Sequence, residues 1–69
     1  MKFKVGDIII DETGMPEERW EILKVDQSAE RYFAKYYRVN DSRPVEEKWY
    51  SFNRMEVDSR VITPLEELL

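Results

Sequence analysis

A β-branched run, Ile8-Ile9-Ile10, follows directly on Gly6-Asp7, and this order constrains the fold more than any other feature of the chain. Glycine enters backbone regions closed to other residues, aspartate accepts local backbone hydrogen bonds, and consecutive isoleucines favour an extended chain. A turn and then a strand over residues 7–11 are therefore expected at the start. The same punctuation recurs along the sequence. Thr13-Gly14-Met15-Pro16, Asp26-Gln27-Ser28, Asn40-Asp41-Ser42-Arg43-Pro44 and Thr63-Pro64 separate short runs of strand formers. Strands are predicted over 19–26, 31–39 and 45–52, a helical turn over 53–59, and a fifth strand over 60–63.

With 69 residues the chain suffices for one domain, 1–69, and a domain of this size buries only about 60% of the surface its unfolded form exposes. It contains no cysteine and no histidine, which removes disulfides, thiolate zinc sites, imidazole ligands and the usual general base. Packing must then come from the two Trp, four Tyr and three Phe, each burying roughly 150–250 Å². No internal repeat, low-complexity stretch or linker divides the chain.

Catalytic and metal chemistry find little support. Asp7, Asp11 and Glu12 lie close in sequence but lack the alternating ligands of a calcium loop, and read as a solvated strand end. There is no phosphate-binding glycine loop, and the serines have no histidine or cysteine to pair with. Glu46 and Glu47 are neighbours on a strand and point to opposite faces. A non-enzymatic protein without cofactor or metal is expected.

The spacing Lys4-Val5-Gly6-Asp7, a loop, then Trp20-Glu21-Ile22-Leu23-Lys24-Val25, then two tyrosine-rich strands resembles small SH3-like β-barrels of the KOW and Tudor type, including phage and bacterial accessory proteins. The resemblance implies a mainly β fold: a five-stranded barrel over 1–63 with a helical turn before its last strand, and a C-terminal turn over 64–69. It also implies a binding module for proteins, peptides or nucleic acids. The tail carries a capping-box pattern, Thr63-Pro64-Leu65-Glu66, and the form Leu65-Glu66-Glu67-Leu68-Leu69, read as packing against one end of the barrel.

Both alternation classes of the third strand carry aromatics: Tyr32 and Tyr36 on one side, Phe33 and Tyr37 on the other. Either the strands bury both sides, or one side is a binding surface. The site expected on the second reading comprises Trp20, Tyr36, Tyr37, Trp49 and Tyr50 as anchors, with Arg38 and Arg43 for polar specificity. Its expected ligand is a protein. Nucleic acid is the alternative, because residues 31–43 hold Arg31, Lys35, Arg38 and Arg43 against Asp41 alone. Against it stand a net charge of −4 and a pI near 4.8. No stretch nears the roughly 18 apolar residues of a membrane span, and no signal-like apolar run opens the sequence, so a cytoplasmic monomer or weak homodimer is expected.

Overall fold

The computed structural model describes residues 2–43 and 45–63; the expected C-terminal turn over 64–69 and its leucines lie outside them. Strands β1 (Ile8–Asp11), β2 (Glu18–Asp26), β3 (Arg31–Arg38) and β4 (Glu46–Ser51) are followed by the single helical turn α1 (Phe52–Glu56) and strand β5 (Ser59–Val61). All pair antiparallel in one sheet of order β4-β3-β2-β1-β5, with β4 and β5 at its two edges. The mainly β architecture matches the expectation from sequence, and the sheet is not closed by pairing between its ends. α1 packs against β3, β4 and β5.

The opening turn works as its residues dictate. Gly6 takes a φ of +95°, the Asp7 N–H donates to the Lys4 carbonyl at 3.1 Å, and the Asp7 carboxylate accepts from the Lys4 N–H at 3.0 Å. This is a turn whose third residue requires positive φ. Strand β2 solves a different problem. Its inward residues Ile22 and Val25 are three apart, which regular alternation would place on opposite faces; a bulge between Ile22 and Lys24 absorbs the extra residue.

The core is Phe3, Ile9, Ile22, Tyr32, Ala34 and Met55, with Trp20, Val25, Tyr50 and Phe52 packed around it. Tyr32, fully buried, is its largest member, with ring centroids 4.6 Å from Phe52 and 5.8 Å from Phe3. Its hydroxyl donates to Glu56 Oε2 at 2.5 Å and accepts from the N–H groups of Lys2 and Phe3 at 3.1 and 3.0 Å. One phenol thus ties the N-terminal segment to α1, leaving none of its hydrogen-bonding capacity stranded.

Every element differs from its predicted bounds at one end or both, and two of these shifts have clear local reasons. Phe52, expected in the fourth strand, begins α1 because Ser51 acts as N-cap, its side chain accepting from the Arg54 N–H at 3.1 Å. The turn also ends sooner than expected: Asp58 takes a left-handed φ of 54° and delivers Ser59 into β5.

Candidate functional site

Register assigns each aromatic of the third and fourth strands to a face. Tyr32 opposes Tyr50 and Tyr36 opposes both Trp20 and Glu46, so these side chains share the face that holds the core. Phe33 opposes Trp49 and Lys24, while Lys35 opposes Glu47 and Glu21; these lie on the outer face. The seven expected site residues therefore fall in three places.

Tyr36, Tyr37, Arg38 and Arg43 meet with Asp41 and Glu46 in a cleft of about 290 Å³ at the end of the β3–β4 hairpin. Its arginines are held by neighbours. Arg38 Nε donates to the Tyr36 hydroxyl at 3.0 Å, and that hydroxyl donates to Glu18 Oε2 at 2.5 Å. Arg43 grips Asp41 with Nε at 2.8 Å and Nη2 at 2.6 Å, its own N–H adding a third contact at 2.9 Å. The hydrogen bond to Tyr36 raises the Arg38 guanidinium above its ordinary range. The contacts from Arg43 hold the Asp41 carboxyl below its ordinary range.

Trp20 and Tyr50 line a second cleft, of about 260 Å³, between the β1–β2 loop and α1, together with Asp11, Met55 and Asp58. The Trp20 ring also packs on Tyr36, centroids 5.3 Å apart, so the two clefts adjoin through one aromatic pair. The acidic cluster suggested by Asp7, Asp11 and Glu12 disperses: Asp7 binds Lys4, Asp11 caps Thr13 at 2.9 and 2.8 Å, and Glu12 lies 3.7 Å from Arg60. Among the described residues no group of three or more acidic side chains is arranged to hold a metal ion.

The third place is the outer face, where Trp49 lines neither cleft and Tyr37, which borders the hairpin-end cleft, shares the face by register. It is 39% exposed, packs on Phe33 with centroids 5.1 Å apart, and carries the Arg31 guanidinium 4.3 Å above its ring. Lys24 lies 5.3 Å over Phe33, and Lys35 lies 6.0 Å over Tyr37. Phe33 and Arg31 were not among the expected site residues. The signal that finds them is hairpin register: pairing folded about the Asn40 to Pro44 loop puts position 33 against 49 and 31 against 51.

The same register neutralises the local positive charge. Arg31, Lys35 and Arg38 each stand opposite an acid of β2, with Asp26, Glu21 and Glu18 at 3.7, 3.8 and 3.9 Å, and Arg43 is held by Asp41. A segment that reads as basic in sequence is charge-balanced in space. Compared with protein-family models, curated proteins and solved structures, the chain matches none.

Proposed function

We propose that this chain is a non-catalytic SH3-like small barrel that binds a protein partner through the outer face of β3 and β4. The barrel reading is supported by β1, which pairs with both β2 and β5, and by α1, which bridges β3, β4 and β5 across the open side of the sheet. The binding reading is carried by one observation: Trp49 is exposed on a sheet face with Phe33 beneath it and Arg31 above it. Large rings with few rotatable bonds give contact area at small entropic cost, and Trp, Tyr and Arg dominate the energetics of protein interfaces. The hairpin-end cleft, with Arg38 and Arg43 already oriented, offers polar contacts at the far end of the same hairpin.

Protein is favoured over nucleic acid because the four cations of residues 31–43 each face a carboxylate. A phosphate backbone would have to displace those partners and overcome the overall charge of −4. The test is capture from nuclease-treated extract by wild type and by Trp49→Ala, with circular dichroism to verify that the variant is folded. The expected result is a specific protein retained by wild type, little affected by salt, and reduced at least about tenfold by Trp49→Ala. Loss of all retained material after nuclease, or equal capture by the folded variant, overturns the proposal.

A further inference from the structure

We infer that the edge of β4, which among the described residues pairs with β3 alone, is a self-docking edge, at which a second copy of this chain pairs antiparallel and extends the sheet about a two-fold axis at Glu47. The inference rests on the proposed function in one respect, that Trp49 is a docking side chain. Of the two sheet edges, β5 has three residues and β4 has six, and Glu46 to Trp49 are all exposed. Such an edge presents unpaired backbone donors and acceptors to any extended chain. Its side chains decide which chain fits.

On β4, Glu47 and Trp49 lie on the outer face and Glu46 and Lys48 on the core face, and continued alternation one residue before the strand gives Val45 the parity of Glu47. A two-fold axis normal to the sheet keeps the faces of both copies aligned, so only residues of like parity can oppose one another. With the axis at Glu47, Glu46 of each copy opposes Lys48 of the other, and Val45 opposes Trp49. Both charges of the existing Glu46–Lys48 pair, 3.1 Å apart within one strand, gain a second partner of opposite sign. Val45, 51% exposed, and Trp49, 39% exposed, cover each other.

The neighbouring registers are poorer. An axis at Lys48 sets two lysines together beside Ala34, and an axis at Glu46 sets two glutamates together beside Tyr36; neither opposes Glu46 of one copy to Lys48 of the other. An axis at Glu47 also brings two carboxylates together, each opposite Lys35 in register on β3, with the two Glu46–Lys48 contacts flanking them. Alternating signs on an edge strand repel most neighbours and complement the chain's own copy.

The experiment combines sedimentation equilibrium with cysteine trapping in a chain that has no cysteine of its own. Glu47→Cys places thiols opposite each other across the axis, at the roughly 4.5–5.5 Å Cα separation that a disulfide spans, so oxidised glutathione should trap a covalent dimer. Glu46→Cys should trap little. Glu46→Lys and Lys48→Glu should each weaken self-association about tenfold or more, and mixing these two variants should restore it as a heterodimer. Circular dichroism verifies the fold of each variant. A wild type that stays monomeric at the highest soluble concentration, equal trapping by both cysteine variants, or failure of the mixture to recover overturns the inference. If wild type is monomeric while Trp49→Ala still loses its captured protein, this inference alone falls. If the dimer and its charge swap hold while Trp49→Ala captures normally, the proposed function alone falls.

Discussion

Tyr32 and Trp49 sit on the same β3–β4 hairpin with similar aromatic surroundings, yet they belong to different physical regimes. Tyr32 lies on the core face with no exposed surface, packs between Phe3 and Phe52, and spends its hydroxyl on three hydrogen bonds. Trp49 lies on the outer face, packs on Phe33, and meets a cation where Tyr32 meets a second ring. One region is an interior closed by polar bonds at its rim; the other is a surface held in shape by charge and stacking. Aromatic content therefore does not separate core from surface in so small a domain. The pairing partner across the strand does.

The largest expected effect breaks that symmetry directly. Tyr32→Ala removes a fully buried ring and takes the hydroxyl acceptor from the buried Phe3 N–H, and should cost about 3–5 kcal/mol or more. A single core of this size rarely supplies more than about 3–5 kcal/mol in total, so this variant should be largely unfolded by circular dichroism at 25 °C. Trp49→Ala should lower the unfolding free energy by about 1 kcal/mol or less in urea. Comparable losses at both positions would show that the outer face is part of the core.

The sequence made the element order legible because each strand is bounded by its own turn residues: Gly6 takes the positive φ its turn needs, and Asp26 accepts from the Ala29 N–H at 3.1 Å in the hairpin it was expected to begin. The faces were less legible. Alternation alone could not say which parity of β3 points inward, and on β2 the bulge at Ile22 reverses parity partway along the strand. Residue type also leaves the faces of the candidate site open. Trp20 and Tyr50 were grouped with Trp49 by residue type, whereas register places them on the core side. The basic stretch over 31–43 is balanced by acids outside it, since Glu18, Glu21 and Asp26 lie on the preceding strand.

A smaller effect probes the polar rim of the interior. Burial by itself would raise the Glu56 carboxyl, but hydrogen bonds from the Tyr32 hydroxyl and the Lys2 N–H outweigh it and hold the group below its ordinary range. A carboxylate depressed in the folded state adds stability that is present above its unfolded value, near pH 4.3, and is lost as pH falls through the folded value. Thermal melts should therefore show wild type losing more stability than Glu56→Gln on acidification from pH 6 through that range, the gap between them narrowing. Tyr32 has the opposite sign: burial first, then the bond to Glu56, raises its phenol, so its contribution persists below about pH 10 and fades above. Parallel acid profiles for the two proteins would remove Glu56 from the closure of the core.

The smallest effect tests whether the outer face is organised before any partner arrives. Arg31 is shared between the Trp49 ring at 4.3 Å and Asp26, whose Oδ2 is 3.7 Å from its Nε, and its side chain is 45% exposed. At exposed positions a cation over a tryptophan face couples by about 0.5–1 kcal/mol, whereas many exposed ion pairs contribute almost nothing. A double-mutant cycle with Arg31→Ala and Trp49→Ala should return coupling in that range, and the matching cycle with Asp26→Asn should return less. Binding is weakened by every side chain that must be ordered on association, so a Trp49 already fixed by Phe33 and Arg31 loses less freedom when a partner docks. No coupling between Arg31 and Trp49 would leave the ring free to move over Phe33. The outer face would then lack the fixed shape that makes it a counterpart to the interior around Tyr32.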